Sequence, residues 1–183
     1  MGPEAWSLTQ LNVGLWALSI PLGLLWANAL EWLLHRYVLH GLGRSKKNFW
    51  SFHWWDHHNQ CRRRRFRDPG YQQPLWVWSS KSKELLGLQG LNLIHLPLLF
   101  YAPALFLTLL YSNLNYYRVH KRAHLDPEWA KRHVPWHYDH HMGRNQDLNW
   151  GVTRDWWDRL LGTREPWLGT EEELASREAG EES

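Results

Sequence analysis

The sequence predicts an all-α, integral membrane helical protein with a histidine-rich helical cap on the cytoplasmic side. Three observations predict it. Two apolar blocks, residues 8–34 and 83–115, interrupt an otherwise polar chain. Ten of the 12 histidines fall in two clusters, one following each block. All 21 Lys and Arg lie from Arg36 onward, and none falls between Lys83 and Arg118.

A chain of 183 residues fits one domain, expected as a membrane-embedded unit over residues 1–168. The mean hydropathy of −0.57 is an average and does not exclude membrane segments flanked by very polar ones. Fifteen Trp suit the membrane–water interface, where an apolar ring with one N–H donor sits well. Residues 1–6 lack a positively charged n-region, so no cleaved signal peptide is expected.

The first block exceeds the ~20 residues that cross a bilayer core. Its polar interruptions are Asn12, Asn28 and Glu31, and Pro21 is a kink that transmembrane helices tolerate. The helix is expected to run on through His35 and His40 to a turn-rich basic link at Gly41, Gly43, Arg44, Lys46 and Lys47. Cys61 is the single cysteine, which excludes an intrachain disulfide and allows at most one thiolate ligand. The basic run Arg62–Arg65 with Arg67 is expected to meet lipid phosphates beside the membrane segment. No nucleic-acid reading element accompanies it, so nucleic acid is not an expected partner.

Asp68, Pro69 and Gly70 break the chain into a loop before the second block. If the histidines on either side of that block share one site, the intervening chain crosses the membrane an even number of times. The turn at Tyr101, Ala102 and Pro103 then divides it into spans over 83–100 and 103–122, three in all with 8–34. Every Lys and Arg lies on the histidine side, which the positive-inside rule places in the cytoplasm. Residues 169–183 are acidic and short of large apolar groups, and read as a disordered tail.

The histidines have an arithmetic. His35 and His40 are followed, after 12 residues, by His53, His57 and His58; His120 and His124 are followed, again after 12, by His137, His140 and His141. On α-helices His53 and His57, or His120 and His124, share a face at i, i+4, and so do His137, His140 and His141 at i, i+3, i+4. Ten imidazoles exceed the roughly four to six ligands of one ion. Two metals with about five each keep an open coordination position, unlike a closed structural zinc site. Asp56 and Asp139 directly precede the double histidines and are candidates to orient ligand N–H groups from behind. His95, alone in an apolar stretch, is a candidate lining of a substrate channel.

At these residues the chain resembles the fatty acid hydroxylase/sterol desaturase superfamily of membrane histidine-box di-iron oxygenases. The boxes are His35-x4-His40, His53-x3-His57-His58, His120-x3-His124 and His137-x2-His140-His141. Asn149, Trp150 and Gly151, with Trp157 to Thr163 and Asp158 among them, resemble the closing motif of that family. The resemblance implies two Fe held by all ten boxed histidines, with Asn149 and Asp158 behind them, while His95 and His133 match no box. It further implies an oxidoreductase that hydroxylates or desaturates a lipid or fatty acyl C–H bond with O2 and two electrons. The chain shows no cytochrome b5-like segment, so a separate ferredoxin- or cytochrome b5-like electron donor is expected. Carotenoid hydroxylases share the first boxes in outline, which leaves an isoprenoid substrate as the alternative. A metal-binding membrane protein without oxygenase activity is the alternative from another class. Zn can replace Fe in purified protein, since imidazole suits both.

Overall fold

α1 (Leu8–Leu33) begins the part of the chain that the computed structural model describes, residues 8–181. The expectation of no cleaved leader concerns residues outside this range. Leu18 and Leu22 of α1 remain 60% and 58% exposed, and Ile20, Leu25 and Trp26 also face outward. An apolar helix whose side chains find no protein core is suited to hydrocarbon. Among the described residues it is the one helix long and apolar enough to cross a membrane, from Trp16 to Arg44. Its polar residues grip another part of the chain. Asn28 donates to the Arg154 carbonyl at 3.2 Å, and Glu31 accepts from the amide and hydroxyl of Thr153, both at 2.8 Å. Trp32 Nε1 donates to Asp158 and Thr163 at 3.1 Å.

α1 is continued by a π-helix, Leu34–Gly41, and a second π-helix spans Phe52–His58 before α2 (Asn59–Arg63). The second apolar block gives α3 (Ser80–His95), α4 (Leu98–Tyr101) and α5 (Pro103–Leu125), and α6 (Pro127–His133) follows it. Pro97 brings no amide N–H to continue α3, and α4 is a short sequel. Of the three expected spans only the first meets the length and hydropathy of a full crossing. α3 begins with Lys81, Lys83 and Glu84, and α5 carries Asn113, Asn115 and Arg118. α5 packs against α1 nonetheless, with α3 against α5. At Gly23 a Cβ would stand 2.8 Å from Thr108 Cγ2 and 3.1 Å from Leu105 Cδ1, so α1 and α5 meet over a bare backbone. Gly23→Val should separate them and cost about 1–3 kcal/mol, read as a fall in thermal midpoint. An unchanged midpoint would show that this contact is not made.

α6 and α7 (Pro135–Met142) both start on proline, whose fixed φ suits the first helical position. The basic run has a structural duty that its composition did not reveal. Arg62 donates to the carbonyls of Met142 and Gly143 at the end of α7, and Arg67 donates to Leu125 O at the end of α5 at 2.8 Å. Cations at helix C-termini satisfy orphan carbonyls and oppose the dipole. α8 (Trp156–Leu160) leads to α9 (Glu171–Glu181). The segment expected to be a disordered tail is therefore helical through Glu181. Glu173 is buried and accepts from Gly169 N at 3.2 Å, and Arg144 pairs with Glu172 at 2.8 Å. Residues 182–183 lie outside the described range.

Candidate metal centre

His35 and His40 are five residues apart. On an α-helix that spacing turns the two rings about 140° away from each other. The π-helix closes i→i+5 instead, and it brings the ring centroids to 5.1 Å. The second π-helix does the same for His53 and His58, at 4.8 Å. These four and His140 each place a ring nitrogen within 4.8 Å of the others. The Nε2 atoms of His35 and His53 stand 2.9 Å apart, those of His40 and His58 3.1 Å, and those of His140 and His58 3.2 Å.

The second group is built on α-helical spacing. His120 and His124 lie four apart on α5, and His137 and His141 four apart on α7. His57, His120, His124 and His141 bring their ring nitrogens within 4.8 Å of one another. His137 adjoins them, its Nε2 3.0 Å from that of His124. Each cluster thus lends one histidine to the other group, and the lenders belong to the doublets. Neighbouring residues on a helix diverge by about 100°, so His57 and His58, like His140 and His141, serve one group each. The i, i+4 pairing of His53 with His57 gives way to His53 with His58. His140 likewise leaves the face it was expected to share with His137 and His141.

Behind the rings stand acceptors. Nδ1 of His35, His124 and His140 donates to the carbonyls of Trp150, Phe66 and Leu148 at 2.6, 2.9 and 2.7 Å. Nδ1 of His57, His120 and His40 donates to Asp68 at 2.8 Å, Glu84 at 2.5 Å and Asp147 at 3.3 Å. With the proton on Nδ1, each Nε2 presents a bare lone pair inward. The buried Nε2 atoms of His57, His120 and His141 have no hydrogen-bond partner among the described residues. Lone pairs gathered this way repel unless a cation lies among them. A set of imidazole nitrogens with carboxylates behind suits Fe or Zn, so these residues fit metal ions. Phe66 completes the second group from above, its ring 4.5 Å from His124. It does so from a strained backbone, since Arg65 and Phe66 hold φ of 50° and 75° in the left-handed region.

Burial makes the clustered histidines neutral. It pushes His53, His58, His124, His137, His140 and His141 well below the ordinary imidazole range, and neighbouring rings add to the effect. Burial alone would raise the Asp68 carboxyl, but its bonds to His57 and Gly70 N outweigh that and hold it at about 2. The unfolded chain binds protons at these six histidines near pH 6.5 while the folded one does not. Stability of the metal-free protein should therefore fall progressively as the pH drops below about 6.5. Denaturant melts between pH 5 and 8 check this, and a flat profile would contradict it.

The acceptors proposed from sequence fare differently. Asp56 lies exposed on the outside of the second π-helix and bonds no histidine among the described residues; Asp68 has that role for His57. Asp139 is buried, but it holds Leu168 N at 2.7 Å and Arg164 at 2.8 Å, tying down the C-terminal segment. Asn149, at φ 58°, accepts from Glu165 N at 2.8 Å. Asp158 collects the amides of Trp150 and Gly151 at 2.8 and 2.7 Å. These two act on the centre by shaping the loop whose Leu148 and Trp150 carbonyls receive His140 and His35. Asp68, Glu84 and Asp147 carry no spacing signal, although Glu84 at the head of an apolar block was a hint. Tyr71 was missed too: it donates to Glu84 at 2.6 Å and stacks on His124.

A cavity of about 780 Å³ opens between α1, α3 and α5, lined by Leu30, Leu91 and Leu109 and reaching His35, His53 and His120. His95 lines it as well, its Nδ1 bonded to Leu91 O at 2.8 Å. From Glu84 to His95 the α3 wall runs about 16 Å at the α-helical rise.

No curated protein and no solved structure matches the chain significantly. The fatty acid hydroxylase family model matches residues 20–163, a stretch that takes in all ten clustered histidines, the cavity walls and the closing loop. With the histidine boxes, their spacing and the loop behind them all inside that match, the chain belongs to the fatty acid hydroxylase family.

Proposed function

We propose that this protein is a membrane oxidoreductase that hydroxylates a lipid or fatty acyl C–H bond with O2 and two electrons. The observation that supports it most is the junction of two features: paired histidine groups wholly shielded from solvent, and an elongated apolar cavity that ends on them. Two Fe are the native metals in this reading, with Zn a replacement in purified protein. When bound, they supply the activation of dioxygen.

The chain's own part is positioning. The carbonyls and carboxylates behind the rings turn Nε2 of His35, His40, His57, His120, His124 and His140 inward. Leu30, Leu91 and Leu109 accept an acyl chain and exclude water beside it. His95, with Trp26 Nε1 at 3.5 Å, lines the channel. α1 crosses the bilayer, with the histidine side cytoplasmic, and electrons arrive from a separate ferredoxin- or cytochrome b5-like donor. Lipid mass spectrometry of cells expressing wild type and His140→Ala tests the reading. A wild-type lipid heavier by one oxygen, absent without O2 and absent in the variant, is expected. Loss of two hydrogens instead would make it a desaturase, and an unchanged lipid and carotenoid profile would sink the oxygenase assignment.

A further inference from the structure

The groups behind the histidines are sheltered, with one exception. Asp68 and Glu84 are 5% and 9% exposed, whereas Asp147 is 47% exposed and still touches His40 Nδ1. Beside it the half-buried Trp54 lays its ring 5.0 Å from His40 and 5.2 Å from His58. Arg44 joins the two, pairing with Asp147 at 2.5 Å and covering Trp54 at 4.5 Å. Next to them Trp55 is exposed under Lys46, at 4.3 Å, and holds the Arg44 carbonyl at 3.0 Å. Lys46 and Lys47 are exposed and make no ion pair among those of the described residues; the acidic groups on this face are Asp147, already engaged by Arg44, and the exposed Asp56.

We infer that this face, Arg44, Lys46, Lys47, Trp54 and Trp55, is where a small acidic one-electron carrier protein docks to deliver electrons to the first histidine group. The inference rests on the oxygenase reading. That reaction, RH + O2 + 2 e⁻ + 2 H⁺ → ROH + H2O, breaks a C–H bond and the O–O bond and forms one C–O bond and three O–H bonds, one in ROH and two in water. Two electrons come from the C–H bond and two from the carrier, which is oxidised once at each of two dockings. Electron transfer weakens steeply with distance, so the carrier must reach a point where surface and ligand nearly meet. Trp54 is that point. Adjacent tryptophans and an arginine are the residue types that anchor protein interfaces. Lys46 and Lys47, which make no ion pair among the described residues, supply attraction for an acidic partner.

The test uses the full-length, metal-loaded protein in detergent, with an acidic [2Fe–2S] ferredoxin and a cytochrome b5-like haem protein as probes. Titration should show binding that weakens with salt, and Lys46→Glu with Lys47→Glu should weaken it at least tenfold at unchanged metal content. Product formation driven by reduced methyl viologen, which needs no docking, should be the same in variant and wild type. Equal carrier affinity in variant and wild type overturns the inference, as does failure of wild type to bind either carrier. Loss of binding to phosphatidylglycerol vesicles with carrier binding intact also overturns it, and marks the face as a membrane contact. Carrier binding lost in the variant, with no product from wild type under either reductant, leaves the docking face standing and removes the oxygenase reading instead.

Discussion

His140→Ala and His141→Ala, neighbours in sequence, should each cost the protein a different metal. His140 stands with His35, His40, His53 and His58, and His141 with His57, His120 and His124. Removing one histidine from a buried group should leave the other in place, because His35 and His40 are held by Trp150 O and Asp147, and His57, His120 and His124 by Asp68, Glu84 and Phe66 O. Metal analysis should find each single variant depleted by about one ion of two under mild chelation. The pairing is the sharper test. His58→Ala added to His140→Ala should cost no further metal, whereas His141→Ala added to His140→Ala should leave none. Oxygenated product should vanish in every case. Equal metal loss from the two pairs would refute the exchange of ligands between the clusters.

Asp68→Asn should weaken metal binding at the second group by about 10- to 100-fold while sparing the first, the effect typical of a carboxylate behind a histidine ligand. The carboxylate accepts from His57 Nδ1 at 2.8 Å and from Gly70 N at 2.8 Å, in a buried position. An amide keeps the shape and one acceptor oxygen, but it lacks the charge that strengthens the bond and makes Nε2 a better donor to metal. Competition with a chelator of known affinity gives the dissociation constants. Glu84→Gln should behave alike through His120, and Asp56→Asn, at an exposed carboxylate, should do nothing. A metal affinity unmoved by Asp68→Asn would remove Asp68 from the centre.

Much of this centre was legible before folding. Histidine has one dominant reason to recur ten times beside apolar blocks, and burial of all ten agrees with it. The helix bearing His120 and His124 is regular, so spacing translated directly into a shared face. The same rule failed at His53 and His57 because it assumes 3.6 residues per turn, and a π-helix is not announced by the residues that form it. His35-x4-His40 held the clue, since i, i+5 makes no pair on an α-helix. The carboxylates were misassigned for a related reason. Asp56 precedes a double histidine in sequence, but the adjacent residue on a helix points elsewhere, while Asp68 reaches His57 across a loop.

While two of its three expected spans fall short of the length and hydropathy of a crossing, sequence by itself determined the two histidine clusters, the all-helical class and the apolar first helix. Those are properties of composition and period, which act along the chain. Tertiary structure alone decided how ten rings divide into two groups, which carbonyls and carboxylates set their tautomers, and where the tail and the arginines pack. Those depend on distances between residues far apart in sequence, and no local preference encodes them.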